Sequence, residues 1–251
     1  MIPNRESSAT RPNADLRKTR STLGQANSAW LAEQGLADGV LLLGGASLAD
    51  FRVRVAQSGL RGDLTPSYWS LCGILIEGGT RFLSVPLSVP DASSVPSTNA
   101  IRDCAMADFD DPGQWPNIAV VRFASDIGMV VEQARAVASR RSIVELPALV
   151  LAWLGFAWAV TGQPNPLTES QGLPSAVFVE TAHALAGVEL TPGLASAASC
   201  PEAIWQAAKW WHEYYEEAPT IPIGSRSAGA MPPQGRYAIR QPKAQAGGSG
   251  S

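Results

Sequence analysis

Residues 172 to 187 read GLPSAVFVETAHALAG. Gly-Leu-Pro opens the stretch, an apolar run follows and Ala-Gly closes it. That order predicts a helix starting near Pro174 and stopping near Gly187. Ser175 falls in its first turn. Exposed N–H groups and the macrodipole favour an anion at such a place. A cysteine there would be pushed toward thiolate. A serine there needs a base before it can act as a nucleophile. The helix therefore belongs to an active enzyme, to a disarmed one, or to a protein that was never one.

On its N-terminal side lies a loop, TGQPNPLTESQGL at 161 to 173, preceded by LPALVLAWLGFAWAV at 146 to 160. That run has 15 residues, whereas a bilayer span needs about 20. Proline near its start is tolerated in a first helical turn. The run reads as a buried helix, or else as an apolar surface facing a lipid or acyl substrate. Further upstream, SDIGMVVEQARAVASRR predicts a helix with Asp126 at its start and Arg140 and Arg141 in its last turn. IAVVRF at 118 to 123 reads as a strand. YWSLCGILIEGGTRFLSVPL at 68 to 87 reads as two strands flanking Gly78-Gly79, a hairpin. GVLLLGG at 39 to 45 is a buried strand, and SLADFRVRVAQSG after it a helix. AWLAEQGL predicts a short helix, and PEAIWQAAKWWHEYYEE at 201 to 217 a final one rich in aromatics.

Strand, helix, hairpin, strand and then helices predict an α+β domain with a small, mainly antiparallel sheet and helices packed on it. The expected organisation is a flexible basic arm at 1–29, one domain at 30–217 and a Pro/Gly-rich basic tail at 218–251. The tail ends in GGSGS, which reads as an appended linker.

The chain has 251 residues, 45% hydrophobic and 16% charged, and a net charge of −3. The charge is uneven: +3 over residues 1–22 and +4 over 218–251, leaving −10 for residues 23–217. The basic ends are either solvated tails or docking segments for an acidic surface, a neighbouring copy's included. An acidic core argues against nucleic acid as a partner. The N-terminus has no apolar signal region, so a cytoplasmic protein is expected. Cys72, Cys104 and Cys200 lack metal-ligand spacing, and no cofactor is expected. The aromatic helix 201–217 carries more rings than one stripe needs, so it also reads as a surface for a protein partner or a homo-oligomer.

Four stretches together resemble the NlpC-like papain-fold cysteine hydrolases, in the circularly permuted branch that includes relatives of lecithin:retinol acyltransferase. LPSAVFVETAHALAGVELTPG resembles the family's nucleophile helix, with Ser175 in the cysteine's place, Phe178 and Val179 as the apolar pair and Gly187 at the helix end. SLCGILIEGG resembles the strand that in the family reads Ser-His-any-Gly-Ile. Ser70, Gly73 and Ile74 fit, and Leu71 takes the place of the general-base histidine. GLADGVLLLGG resembles the opening Gly-Asp strand, with Asp38-Gly39 in its place. DFDDPGQWPNIAVVRF resembles the Asp-Phe segment and the strand ending in Val-any-Arg. The base-type strand precedes the nucleophile-type helix, which is the permuted order.

The resemblance implies a thiolate–imidazole pair oriented by a third polar group. This chain has Ser175 and Leu71 in the pair's places. The strand that would supply the third group, RFLSVPL, offers only Arg81 and Ser84. His183 lies eight residues after Ser175 on the same helix, about 12 Å along the axis, and His212 reads as a helix-surface residue. Side chains alternate along a strand, so Cys72 is expected to face away from a cleft that Leu71 faces. The implied function is a catalytically inactive papain-like hydrolase homologue that binds or assembles, with a lipid or peptide ligand in the cleft. The alternative is a cysteine amidase, peptidase or acyl hydrolase whose nucleophile Ser175 has replaced. Either way Leu71 and Ser175 are expected to face one another.

Overall fold

The computed structural model describes residues 16–19, 24–87, 99–139, 146–159, 162–217 and 233–240. Seven strands form one sheet: β1 (Leu16–Lys18), β2 (Gly39–Gly44), β3 (Leu71–Ile76), β4 (Arg81–Ser84), β5 (Arg102–Ala105), β6 (Asn117–Arg122) and β7 (Gln234–Ile239). Their spatial order is β1-β7-β6-β2-β3-β4-β5. Every pairing is antiparallel except β1 with β7. The helices are α1 (Asn27–Gln34), α2 (Leu48–Ala56), α3 (Ile127–Ser139), α4 (Leu146–Ala157), α5 (Pro174–Leu185) and α6 (Pro201–Glu217). The fold is α+β, as the order of patterns predicts.

The central strands are apolar on both sides because both faces of the sheet are covered. Val40, Leu42, Cys72, Ile74, Ala119 and Val121 point to one face, where residues of α3, α5 and α6 cover them. Leu41, Leu43, Leu71, Leu75, Ile118 and Val120 point to the other. That second face is closed by Trp30 and Leu31 of α1 and by a short helical turn, Met106–Phe109. Phe109 meets Phe82 edge-on with centroids 5.0 Å apart, and Trp115 at a tilt at 4.9 Å. Asp110, next in the Asp-Phe segment, accepts from the backbone N and the hydroxyl of Ser28, both at 2.7 Å, and so fixes the start of α1.

The hairpin expected at Gly78-Gly79 joins β3 to β4. Glu77, Gly78 and Gly79 all take positive φ, at 50°, 69° and 84°. Only glycine adopts that conformation without strain, so the pair of glycines sets the turn. Asp126 caps α3 by accepting from Gly128 N at 2.9 Å. The expected partners at that helix's other end, Arg140 and Arg141, lie outside the described residues.

Three strands depart from the sequence reading. β5 is short and polar at Arg102 and Asp103, so no apolar alternation announces it. β1 and β7 come from stretches read as a basic arm and a basic tail. β7 pairs along its whole length with β6, a core strand, and β1 pairs with β7. The folded domain therefore reaches from Leu16 to Arg240, beyond 30–217. The tail's Arg240 is buried, and its Nη1 donates to Asn27 Oδ1 at 2.8 Å. This basic residue docks on its own chain. The remaining basic residues of the two ends, apart from Arg17, Lys18 and Arg236, lie outside the described residues.

Two buried glutamates tie the helices to their loops. Glu180 of α5 accepts from Thr191 Oγ1 at 2.6 Å and Ser199 Oγ at 3.1 Å. Glu202 of α6 accepts from Ser67 Oγ at 2.6 Å, and its own backbone N donates to Gln57 Oε1 at 2.9 Å.

Candidate functional site

Helix α5 starts where the sequence predicts, with Pro174 at its first position. The residues before it are clamped to the segment that precedes α6. Gly172 N donates to Ala197 O at 2.7 Å and Leu173 N to Ser199 O at 2.8 Å. At Gly172 a Cβ would come within 2.4 Å of Ser199 O, so only glycine permits this approach. The clamp pins the first turn of α5 against strand β3.

Ser175 is therefore fully buried. Its Oγ accepts from Cys72 N at 3.4 Å and lies 3.7 Å from Cys72 Sγ. Leu71, the residue expected to face Ser175, is on the opposite face of the sheet with Leu41, Leu43 and Phe82. Strand alternation makes these two placements one fact: since position 72 meets the helix, position 71 cannot. The expected pairing of Leu71 with Ser175 is thus corrected to a pairing of Cys72 with Ser175. Cys72 itself faces away from Leu71 and is a buried core thiol, as strand alternation predicts. Burial raises the Cys72 thiol far above its ordinary range, and the Ser175 hydrogen bond offsets little of that.

Neither histidine reaches this point. His183 is buried on α5, with Nδ1 2.8 Å from Val179 O, and burial pushes its pKa down to about 4. His212 lies on α6, against β7. The candidate third groups are also committed elsewhere. Arg81 pairs with Asp103 at 2.8 Å on the surface, and Ser84 donates to the carbonyl of Cys72.

Leu71 does line a cleft, although not one that contains Ser175. The cleft is about 470 Å³ and opens where β2 ends and β3 begins. Its walls include Asp50, Ser70, Leu71, Arg102, Phe109 and Trp115. Ser70 Oγ donates to Asp50 Oδ1 at 2.8 Å and accepts from Gly45 N at 3.0 Å. Ser47 caps α2, its Oγ accepting from Asp50 N at 3.1 Å. Cys104 also lines the cleft, its thiol pushed up to about 11 by burial. No histidine stands among the described residues of the wall. Ser70 and Asp50 can orient a polar ligand group. No imidazole stands between Ser70 and Asp50, so the pair lacks the relay of a Ser-His-Asp triad. Sequence reasoning placed Ser70 only within a motif and missed Asp50. The spacing Ser47-Leu-Ala-Asp50 was the available signal, since Ser followed three residues later by an acid marks a helix start.

Among the described residues no three His, Cys, Asp or Glu side chains converge as a metal site. No described helix is long and apolar enough to cross a membrane. No protein-family model matches the chain, and no curated protein or solved structure matches it either.

Proposed function

We propose that this chain is a non-catalytic binding or assembly protein. The observation that carries the reading is the burial of Ser175 against Cys72, with no imidazole at its hydroxyl. A nucleophile must reach its substrate, and a serine must give its proton to a base. Ser175 does neither. Leu71 and Ser175 lie on opposite faces of the sheet, so the pair that a papain-like lineage requires does not meet, and only the order of the four stretches speaks for that lineage. Two residues of those stretches, Asp38 and Arg122, form an ion pair between the ends of β2 and β6. The cleft beside Leu71 is the place for a peptide or acyl ligand, with Phe109 and Trp115 as its apolar surface and Ser70 and Asp50 as its polar end. The geometry favours this reading over a hydrolase that exchanged only its cysteine for Ser175, because such an enzyme would retain its imidazole against the hydroxyl.

The test is hydrolysis of a panel of p-nitrophenyl esters and peptide amides by the full chain and by Ser175→Ala. The expected result is no turnover above buffer for either. Turnover that Ser175→Ala abolishes overturns the proposal. Turnover gained by Ser175→Cys alone would carry the exchanged-nucleophile reading instead.

A further inference from the structure

Helix α6 carries a stripe that leaves the core: it starts at the buried Trp205 and runs outward to charged residues. Trp205, Lys209, His212 and Glu213 are spaced by four, three and one, so they share one helical face. Its neighbouring face, with Ile204 and Ala208, is fully buried in the core. The stripe faces the β1–β7 end of the sheet, where a core helix would present apolar residues. It begins apolar at Trp205 and turns cationic one turn later.

Between this stripe and the sheet lies a groove of about 340 Å³. Its floor and walls are aromatic: Tyr68, Trp205 and Tyr237. Trp205 is held edge-on between Tyr237 at 5.1 Å and Trp69 at 5.2 Å, so its ring is fixed before any ligand arrives. Tyr68 is fixed from behind by the Arg61 guanidinium, 4.6 Å from its ring centroid. Arg61 is itself anchored by Asp63 at 2.8 Å. The lining carries two ammonium groups against one carboxylate: Lys18 enters from β1 directly beside Tyr237, its register partner, and Lys209 enters from α6. Glu213 is the sole carboxylate among the described lining residues.

We infer that this groove binds a small planar anion, an aromatic ring bearing a carboxylate or a related acidic group. Rigid rings supply apolar and stacking surface at little entropic cost. The lysines supply charge-assisted hydrogen bonds to the acidic group. The volume suits a ligand of one or two fused rings, at the lower end of small-molecule sites. The inference is independent of the papain-like reading, since it uses neither Ser175 nor the cleft at Leu71.

The test is isothermal titration of the full chain with 1-naphthoate, and with 1-naphthalenemethanol as the same ring without charge. Naphthoate is expected to bind at one site, and the neutral alcohol at least about tenfold more weakly, as befits a hydrogen bond to a charged group. Lys209→Met and Lys18→Met are each expected to weaken naphthoate by about tenfold, and Arg135→Met, on the exposed side of α3 and outside both cavities, to leave it unchanged. Affinity should fall as salt rises. In the unsubstituted chain, naphthoate should also protect Lys18 and Lys209 from acetylation, a readout that needs no variant to fold. Absence of naphthoate binding, equal binding of the alcohol, or binding indifferent to both lysines with neither amine protected overturns the inference.

Discussion

The Oγ of Ser175 sits 3.7 Å from the Sγ of Cys72, in a contact from which solvent is excluded on both sides. The helix start that would activate a thiol is thus spent on packing. Around it, Ala176, Val177 and Phe178 are fully buried as well. In so apolar a setting desolvation dominates, as the upward shift of the neighbouring Cys72 thiol shows.

Ser175→Cys is therefore expected to remain unreactive toward iodoacetamide in the native protein and to react only on unfolding. Adding Leu71→His should change nothing at residue 175, because the imidazole would enter the opposite face of the sheet. Ser175→Ala should cost no more than about 1.5 kcal/mol, the ordinary worth of one hydrogen bond. Mass spectrometry of the alkylated, folded protein reads the first two outcomes, and urea denaturation the third. Rapid native alkylation at residue 175 would mean that the first turn of α5 opens to solvent.

Most of the fold was legible because most of its elements carry their own pattern. GVLLLGG and LCGILI are apolar throughout because each strand is covered on two faces, and the Gly78-Gly79 turn is required by positive φ. β7 was not legible. QGRYAI mixes polar and apolar residues, and it is held by pairing with β6, a contact across more than one hundred residues of sequence. The candidate site failed by one position. Motif alignment put the base at 71, but which face a strand residue takes depends on what packs there, and here it is Cys72 that meets α5.

His183 predicts a pH dependence. Burial lowers its folded pKa to about 4, below the ordinary value of 6.5. The unfolded chain then binds the proton more tightly between these limits. The contribution to stability is present above about pH 6.5 and is lost as pH falls through about 4, a swing of roughly 3 kcal/mol. His183→Asn keeps a donor near Nδ1 for Val179 O but does not titrate. Its stability should change less between pH 6.5 and 4 than that of the parent, measured by urea midpoints. Parallel pH profiles for the two proteins would refute this role of His183.

Glu180 predicts the opposite slope. Burial raises its carboxyl above the ordinary value of 4.5, although Thr191 and Ser199 donate to it. The folded state then holds the proton more tightly than the unfolded chain. Stability from this group is present below about pH 4.5 and is lost as pH rises through the folded pKa. Glu180→Gln removes the ionisation and leaves a side chain that the two hydroxyls can still meet. Relative to the parent, the variant should gain stability between about pH 4 and pH 8. Removing a donor should do the reverse: Thr191→Val should cost about 0.5–1.5 kcal/mol, the ordinary net worth of a hydrogen bond. A Glu180→Gln penalty that grows with pH would show that Thr191, Ser199 and the backbone of Leu190 together outweigh the cost of burying the carboxylate.

Helix α4 separates two tryptophans that its sequence does not distinguish. Trp153 is fully buried, packs edge-on with Phe156 at 5.8 Å, and its Nε1 donates to Gly172 O at 2.8 Å. It thereby braces the glycine that clamps the start of α5. Trp158, just past the end of the helix, is 68% exposed, and Leu151 is 71% exposed. The apolar run thus serves the core with one stripe and leaves another at the surface. Trp153→Ala should cost about 3–5 kcal/mol, since it opens a cavity in a packed interior and orphans a buried carbonyl. Trp158→Ser and Leu151→Ser should each stay within about 0.5 kcal/mol, as surface changes do. Denaturation of the three variants, with light scattering to report mass, separates the cases. If Trp158→Ser were as costly as Trp153→Ala and also lowered the mass in solution, the exposed stripe would be an interface between copies of the chain. If it were costly without a change in mass, Trp158 would be packing against a part of its own chain outside the described residues.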